Sequence, residues 1–326
     1  MNFYIITLGC KVNQYESEAM LEMMLNSGFE KADAEKDADI VIINSCTVTS
    51  TSDKKLRQTI SKIKRENIDS IIVLTGCMPQ AFPDIATGYD NVDVILGNSN
   101  RNELVDCIME YISSKQRVVN IKEYKSNNVF EKLNINNFEG RTRAYVKIED
   151  GCNRFCSYCI IPYARGRVRS KPIEEIVAEV EKLSDAGYKE IVLVGINLSA
   201  YGQDIGLEFF DAVQAVCNVC GIERVRFGSM EPDMLNLDTI KKLSKLDKLC
   251  PQFHLSLQSG CDETLKRMNR HYNSCEYYEI VKNLRKYFEN ASITTDIMVG
   301  FPGETEEEFN ESLEFVKKVQ FAKAHI

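Results

Sequence analysis

Apolar strands alternate with amphipathic helices along this chain, and that alternation constrains the fold more than any other feature. Strand–helix alternation with short loops is typical of a parallel sheet covered by helices on both faces. We therefore predict a doubly wound α/β domain over 1–121, with its clearest helices at 17–26, 51–64 and 103–113. The predicted strands of this domain are 3–8, 39–43, 70–74, 92–96 and 117–121.

A second alternating series follows a polar, Asn-rich stretch at 122–140, which we interpret as a linker. The second domain, 141–326, has five and a half βα units, which favours a partial TIM-like (βα) barrel. The chain stops inside the sixth strand, so we expect a barrel truncated there and a sequence that is a fragment. The predicted strands are 143–148, 190–194, 224–227, 252–257, 293–299 and one opening near Lys323.

Composition narrows the class of protein. Twelve cysteines in a chain whose start lacks the features of an export signal argue against a disulfide framework and favour metal binding or thiol chemistry. No apolar run reaches the roughly eighteen residues that a membrane span needs, so a cytoplasmic protein with no membrane partner is predicted. The net charge of −8 gives no general support for a nucleic-acid partner.

Three of the cysteines, Cys152, Cys156 and Cys159, have the spacing C-x3-C-x2-C. Cubane iron–sulfur clusters normally take four cysteine ligands, so three neighbouring thiolates leave one iron open to a reacting molecule. A zinc site or a set of packed core thiols remains as an alternative. Zinc ligands, however, usually come as two separated C-x2-C halves.

Three further cysteines, Cys10, Cys46 and Cys77, each follow a predicted strand of the first domain. The carboxyl ends of parallel strands share one edge of a sheet, and ligands bind there. We therefore predict that the three thiols meet and hold a second cluster that also has an open iron. Buried cysteines at strand ends, without a ligand, are the alternative.

Four sequence blocks around these cysteines resemble the radical S-adenosylmethionine (SAM) methylthiotransferase family. Ser45 departs from the threonine usual before the second cysteine. The run Gly-Cys-Lys-Val-Asn-Gln, starting at Gly9, is most similar to the bacterial branch that modifies threonylcarbamoyladenosine in tRNA. The blocks read Thr-Leu-Gly-Cys-Lys-Val-Asn-Gln-Tyr-Glu-Ser-Glu, Ile-Asn-Ser-Cys-Thr-Val-Thr, Leu-Thr-Gly-Cys-Met-Pro-Gln and Val-Lys-Ile-Glu-Asp-Gly-Cys-Asn-Arg-Phe-Cys-Ser-Tyr-Cys-Ile-Ile-Pro-Tyr-Ala-Arg-Gly.

The resemblance implies that the second domain is a radical SAM domain and that the first holds an auxiliary cluster. It implies two [4Fe-4S] clusters and SAM as cofactors, with the six cysteines as metal-binding and catalytic residues. SAM cleavage then yields a radical that removes a hydrogen from adenine C2, and the auxiliary cluster carries the methylthio group. The implied partners are tRNA and a reducing protein such as flavodoxin or ferredoxin, and the implied state is a monomer. Full-length relatives add a carboxy-terminal RNA-binding β-barrel, which this sequence lacks.

Candidate SAM contacts follow from the same resemblance and lie near the carboxyl ends of barrel strands. They are Tyr158, Gly195, Glu231 and Gln258, and packing or turn geometry is the alternative for each. Basic residues also crowd the cysteine loop, which fits a docked phosphate backbone or, equally, a solvated face. These basic residues are Arg141, Arg143, Lys147, Arg154, Arg165, Arg167, Arg169 and Lys171, with a weaker patch at Lys266, Arg267, Arg270 and His271.

Other functions remain open at this point. The same chemistry on isopentenyladenosine in tRNA, or on an aspartate of a ribosomal protein, is the closest alternative. A non-catalytic two-cluster protein for electron transfer or sulfur delivery is an alternative of another class. Two fully ligated clusters would need eight cysteines, whereas six stand at plausible ligand positions.

Overall fold

The computed structural model describes residues 1–124, 129–133, 135, 138 and 142–326. The described chain forms two compact units, and each combines two segments of sequence. Unit 1 comprises Met1–Asn137 and Ile160–Arg167, and unit 2 comprises Phe138–Cys159 and Val168–Ile326. The return of Ile160–Arg167 to unit 1 is not anticipated from the sequence. Part of the predicted linker at 122–140, and Arg141, lie outside the described residues.

Unit 1 is built on a six-stranded parallel sheet with the order β2-β1-β3-β4-β5-β6. Its strands are β1 (Asn2–Thr7), β2 (Glu30–Lys31), β3 (Ile40–Ser45), β4 (Ile71–Gly76), β5 (Val94–Leu96) and β6 (Val118–Asn120). Its helices are α1 (Lys11–Asn26), α2 (Ser50–Glu66), α3 (Cys77–Ala81), α4 (Pro83–Thr87), α5 (Leu104–Ser114) and α6 (Ile161–Arg165), with 3-10 turns at Glu35–Asp37 and Arg101–Glu103.

Helices cover both faces of this sheet, which confirms the predicted doubly wound fold. Strands β3 and β4 are buried along their whole length, because alternate residues face opposite layers. Val41 and Ile43 pack in one core with Leu56 of α2. Ile40 and Ile42 belong to the other core, which includes residues of α1 and α5.

Helix α1 begins at Lys11, six residues before the predicted start at 17. The first turns of α1 lack the apolar spacing from which a helix is predicted, because polar side chains lie on the face that packs inward. Asn13, Glu16 and Ser17 are all buried. Strand β2 was also not predicted, since it has two exposed, charged residues and carries no apolar signal.

Unit 2 is a series of parallel strands connected by helices. Its strands are β7 (Ala144–Lys147), β8 (Glu149–Asp150), β9 (Arg169–Ser170), β10 (Glu190–Val194), β11 (Arg224–Phe227), β12 (Ser229–Met230), β13 (Gln252–Leu255), β14 (Ser292–Asp296) and β15 (Lys323–His325). Its helices are α7 (Ile173–Asp185), α8 (Phe209–Asn218), α9 (Leu237–Leu243), α10 (Asp262–Arg267), α11 (Ser274–Tyr287) and α12 (Glu306–Val319), with 3-10 turns at Leu198–Ala200 and Pro232–Met234.

The strands of unit 2 pair as β7-β10-β11 and as β12-β13-β14-β15, all in parallel. Only Gly228 separates β11 from β12, so one chain segment contributes to both groups. Strands β8 and β9 form a separate antiparallel pair. The arrangement confirms the predicted partial barrel. A search of the described helices finds none with the length and apolar character needed to cross a membrane.

Candidate functional sites: two sets of three cysteines

Cys10, Cys46 and Cys77 follow three adjacent strands of unit 1, at the carboxyl edge of the sheet. β3 lies between β1 and β4, and Ser45 pairs with Gly76 in register, so Cys46 and Cys77 leave the sheet side by side. The chain order of the sheet reverses between β1 and β3, which is the place where open α/β sheets bind ligands. Topology thus gathers three residues that are far apart in sequence.

Two glycines let the backbone approach closely at this edge. A Cβ atom on Gly9 would lie 3.0 Å from the Cβ atom of Cys46. Gly76 has φ +103°, and a Cβ atom there would lie 2.3 Å from the Ser45 carbonyl oxygen. Both positions therefore need glycine for the cysteines to sit as they do.

Asn13, one helical turn after Cys10, orders the cysteine edge. Its Nδ2 donates to Asn44 Oδ1 at 3.2 Å and to the Ser45 carbonyl at 3.1 Å. Its Oδ1 accepts from the Cys10 thiol at 3.2 Å and from Arg165 Nη2 at 3.3 Å. One amide therefore connects the first cysteine, the strand before the second cysteine and a buried arginine.

Charges near this edge act on the thiols. Desolvation by the surrounding protein raises the pKa of the Cys10 thiol, and the Arg165 charge opposes that rise. The pKa of Cys46 is raised for the same reason, and the neighbouring Cys77 adds to the increase. Cys77 contributes to the raised pKa of both Cys10 and Cys46, which is consistent with three thiols at one edge of the sheet.

The second set, Cys152, Cys156 and Cys159, lies in the loop after β8 of unit 2, and nitrogen donors surround two of its sulfurs. The Arg154 backbone N–H donates to Cys152 Sγ at 3.4 Å, and Asn197 Nδ2 lies 3.8 Å from the same sulfur. Arg270 Nη1 donates to Cys156 Sγ at 3.2 Å. Such donors favour the thiolate form that a metal needs. Burial is the main cause that raises the pKa of Cys152 to about 12, the Arg154 backbone N–H opposes the rise, and the nearby Glu149 is a lesser cause of it.

Arg270 organises this loop from a distant part of the sequence. Its Nη2 pairs with Glu231, its Nη1 lies 3.5 Å from the Tyr158 hydroxyl, and its guanidinium stacks 4.9 Å from the Tyr272 ring centroid. Burial raises the pKa of Glu231, and the Arg270 charge opposes that rise. The arginine thus connects Cys156 with two of the predicted SAM contacts.

Two buried oxygen acceptors beside Cys152 have no hydrogen-bond partner among the described residues: Glu149 Oε1 and Asn197 Oδ1. The other carboxylate oxygen, Glu149 Oε2, accepts from the Asn197 backbone N–H at 2.7 Å. A Cβ atom on Gly195 would lie 2.7 Å from the same oxygen. The site therefore offers unsatisfied acceptors and close backbone packing beside the cysteine loop.

The remaining predicted contacts are placed as follows. Tyr158 is 39% exposed, and its ring meets Phe301 edge to face at 6.2 Å between centroids. Gln258 adopts φ +69°, and its N–H donates to the Asp296 carbonyl at 2.9 Å, which places it in the turn after β13. Asn13 and Asn197 are not among the site residues predicted from the sequence, and Arg270 is predicted there only as part of a weak basic patch. The i, i+3 spacing from Cys10 could have identified Asn13, whereas no local signal connects Arg270 with Cys156.

The structure contradicts the predicted basic stripe around the cysteine loop for four of its eight residues, whereas Arg143 and Arg167 are exposed as predicted and Arg154 is partly exposed. These four residues are buried and paired with acids of their own units. Arg143 pairs with Glu190 at 3.6 Å, and Arg154 pairs with Asp233. The buried pairs are Lys147–Asp150, Arg165–Glu16, Arg169–Asp150 and Lys171–Glu179.

Within the described ranges, no three His, Cys, Asp or Glu side chains converge closely enough to hold a single metal ion. The thiolates of a four-iron cluster bind different irons and need not converge on one point. In unit 2, the donors to the sulfurs and the open acceptors beside Cys152 fit a bound cluster. In unit 1, the fit rests on three cysteines at one sheet edge, with glycines that allow this close approach.

Two family models match different parts of the chain. Residues 146–316 match the model of the radical SAM superfamily. Residues 2–97 match the model described as uncharacterized protein family UPF0004. One match thus covers the cysteine loop of unit 2, and the other covers all three cysteines of the sheet edge.

Curated relatives match nearly the whole chain. The threonylcarbamoyladenosine tRNA methylthiotransferase MtaB of Bacillus subtilis is 40% identical over 98% of this chain and 71% of its own length. The MtaB of Thermotoga maritima is 42% identical over 99% of this chain and 73% of its own length. A tRNA-2-methylthio-N(6)-dimethylallyladenosine synthase of Clostridium botulinum is 39% identical over 99% of this chain and 73% of its own length.

Among solved structures, the radical S-adenosylmethionine methyltransferase TsrM of Kitasatospora setae superposes with a TM-score of 0.70. It is 14% identical and covers 99% of this chain and 72% of its own. The cobalamin-dependent radical enzyme OxsB superposes with a TM-score of 0.61, is 12% identical and covers 97% of this chain and 51% of its own. At these identities the structures support the fold alone.

Proposed function

Because this chain belongs to the radical SAM methylthiotransferases, we propose that it adds a methylthio group to C2 of N6-threonylcarbamoyladenosine in tRNA. The observation that carries the proposal is the presence of two separate three-cysteine sites in one chain of this family. Enzymes of the family use [4Fe-4S] clusters and SAM as cofactors. Two incompletely ligated clusters suit an enzyme that must both cleave SAM and deliver sulfur, and they do not suit a simple electron carrier.

In unit 2, Cys152, Cys156 and Cys159 would hold the cluster that binds SAM. Bound there, cluster and SAM supply the radical that abstracts hydrogen from an unactivated carbon. Arg270 donates a hydrogen bond to the Cys156 sulfur and pairs with Glu231, and the Asn197 side-chain amide lies beside the Cys152 sulfur. The unsatisfied oxygens of Glu149 and Asn197 are acceptors for the amino or hydroxyl groups of SAM, and Gly195 keeps a side chain out of the same space.

In unit 1, Cys10, Cys46 and Cys77 would hold the auxiliary cluster that carries the methylthio group. Gly9 and Gly76 let the backbone segments come close enough at the sheet edge for the three cysteines to lie together. Asn13, whose Oδ1 accepts from Arg165 and whose Nδ2 donates to the Ser45 carbonyl, would hold the backbone beside Cys10 and Cys46 in place. These residues orient and anchor, while the cofactors carry the chemistry.

The choice of threonylcarbamoyladenosine rests on two supports. The run after β1, Gly-Cys-Lys-Val-Asn-Gln, resembles that branch, and the Bacillus and Thermotoga relatives carry that name. Dimethylallyladenosine in tRNA is the second candidate, because the Clostridium relative is nearly as similar over the same span. We also propose that a flavodoxin or ferredoxin supplies electrons and that the protein acts as a monomer in the cytoplasm.

The test is to measure tRNA nucleosides by mass spectrometry from the host with and without the full-length gene. Loss of the methylthio form of threonylcarbamoyladenosine, with its precursor accumulating, supports the proposal. Loss of the methylthio form of dimethylallyladenosine instead shows that the second candidate, methylthiolation of dimethylallyladenosine in tRNA, is correct. An unchanged nucleoside profile overturns the tRNA assignment and directs the search to the ribosomal-protein aspartate.

A further inference from the structure

Unit 1 contains a buried ion network that the chemistry proposed above does not use. Glu16, Arg101 and Arg165 have no exposed surface. Arg165 clamps Glu16 with Nη1 at 2.7 Å from Oε1 and Nη2 at 3.0 Å from Oε2. Arg101 reaches the same carboxylate at 2.9 Å and also pairs with Glu131 at 2.6 Å. Buried ion networks are costly to form, so a network next to a functional site calls for an explanation beyond stability.

The two arginines differ in their relation to the cysteines. Arg165 Nη2 and the Cys10 thiol meet at the same atom, Asn13 Oδ1, at 3.3 and 3.2 Å. The Arg165 charge also acts on both Cys10 and Cys46. Arg101 is directed elsewhere, toward Glu131 and Asn98. Of the two cations in this network, Arg165 therefore shares a hydrogen-bond acceptor with Cys10, whereas Arg101 bonds Glu16, Glu131 and Asn98.

We propose that Arg165 is a positioning residue that holds a fixed positive charge beside the three-cysteine site and raises the reduction potential of the cluster bound there. This inference depends on the proposed function, since it needs a cluster on Cys10, Cys46 and Cys77. Three thiolates around a [4Fe-4S] core with charge 2+ give a net negative site, and one-electron reduction makes it more negative. A buried cation favours the reduced state, because charges interact strongly where water is excluded.

The origin of Arg165 in the sequence supports a role in the reaction. It is carried by the segment Ile160–Arg167, which starts directly after Cys159, the last cysteine of the other set. Helix α6 of this segment packs on α3, the helix that Cys77 begins. The segment that directly follows the cysteine loop of unit 2 thus supplies a positive charge, that of Arg165, to the cysteine set of unit 1.

Glu16 has the opposite expected effect from Arg165. The negative charge of its carboxylate partly cancels the positive charge of the Arg165 guanidinium. Removing the carboxylate charge therefore makes the electrostatic potential at the cluster more positive. A purely structural role predicts that loss of either partner disturbs the site in the same way. An electrostatic role predicts shifts of opposite sign, and this difference is the basis of the test.

The experiment uses the full-length protein carrying Cys152→Ala, Cys156→Ala and Cys159→Ala, so that only the unit 1 cluster is present. The cluster is titrated with dithionite as the electron donor, and its one-electron midpoint potential is followed by electron paramagnetic resonance. We expect a lower potential for Arg165→Gln, a higher one for Glu16→Gln and a value near the parent for Arg165→Lys. Arg101→Gln, a buried arginine on the same carboxylate, is the matched control and should shift the potential least.

Each outcome decides something. Absence of iron from the parent variant contradicts the proposed second cluster itself, separately from the role of Arg165. A loaded cluster whose potential is unchanged, or moves in the same direction in Arg165→Gln and Glu16→Gln, overturns the inference. If Arg165→Gln fails to fold, the sign of the shift in Glu16→Gln decides alone. If neither variant holds iron while Arg101→Gln does, Arg165 is structural and the inference is wrong.

Discussion

The two sets of three cysteines are assembled in opposite ways. Cys152, Cys156 and Cys159 lie within eight residues of sequence, and distant residues such as Asn197 and Arg270 are brought to them. Cys10, Cys46 and Cys77 are far apart in sequence and are gathered by three neighbouring strands. Their ordering residue, Asn13, is instead local, one helical turn after Cys10. The local ligand loop thus depends on distant residues, whereas the set gathered by topology has Asn13 close to one cysteine in sequence and Arg165 from a distant segment.

The largest expected effect comes from removing one cysteine of each set in the full-length enzyme. Cys156→Ala should abolish SAM cleavage and, with it, tRNA methylthiolation. Cys46→Ala should abolish methylthiolation while 5′-deoxyadenosine is still formed, because the loop in unit 2 keeps all its ligands. Both products are measured by liquid chromatography and mass spectrometry under reducing, anaerobic conditions. Equal loss of 5′-deoxyadenosine in both variants would contradict separate roles for the two sets.

The long-range support of the local loop is tested next by Arg270→Met. This change leaves Glu231 with its main cation removed, and unpairing a buried ion pair costs about 3–5 kcal/mol. We expect the free energy of unfolding of unit 2 to fall by that order and SAM cleavage to be lost. Denaturant unfolding of the apo protein measures the first, and 5′-deoxyadenosine formation the second.

Arg267→Met is the matched control for that experiment. Arg267 lies three residues away in sequence and pairs with Glu308, but its side chain is 33% exposed. Pairs at the surface contribute about 0–1 kcal/mol, so this variant should unfold close to the wild type and keep its SAM cleavage. A similar loss in both variants would mean that Arg270 has no special relation to the cysteine loop.

Each site also has a glycine that can be tested by alanine, and the two differ in what the new Cβ atom meets. At Gly76 it meets backbone at 2.3 Å with φ +103°, so neither the neighbour nor the residue can adapt. At Gly195 it meets the Glu149 carboxylate at 2.7 Å, a side chain that can rotate. Gly76→Ala should therefore cost about 2–4 kcal/mol of stability and most of the unit 1 iron. Gly195→Ala should cost about 1 kcal/mol and leave that iron intact.

The iron content of Gly76→Ala and Gly195→Ala is best measured in a protein that lacks the unit 2 cysteines. Their stability is measured by chemical denaturation of the same proteins. Equal destabilisation by the two alanines would show that the sheet edge adapts as readily as the loop. That result would contradict the view that topology fixes the first site rigidly.

The fold and the cysteine positions were accessible from sequence because both follow from periodic patterns. Buried strands such as β3 and β4 read as continuous apolar runs, and parallel topology then brings their ends together. The burial of Asn13 and Glu16 was not accessible, since polar residues on a helix are normally read as its solvent face. The same rule misplaced Lys147 and Arg165 on an exposed basic surface, because the acids that pair with them are apparent only in the folded chain.

The smallest expected effect concerns Glu149, the buried acid beside the cysteine loop. Burial raises the pKa of its carboxyl group well above the usual value of about 4.5, with the Asp150 charge as the next cause. A group whose pKa is higher in the folded than in the unfolded state contributes stability below the unfolded pKa. That contribution is lost as the pH rises through the folded pKa. The apo protein should therefore lose part of its stability between about pH 4.5 and the raised pKa of Glu149.

Glu149→Gln replaces the neutral acid by an amide of the same shape, which can still accept the hydrogen bond from the Asn197 N–H. It should match the wild type in denaturant unfolding near pH 5 and become the more stable of the two as the pH is raised toward 8. The network in unit 1 should be unaffected, since Glu16 keeps both of its arginines. A difference between variant and wild type that stays constant with pH would mean that Glu149 is ionised in the folded protein. The open oxygen beside Cys152 would then be that of a carboxylate.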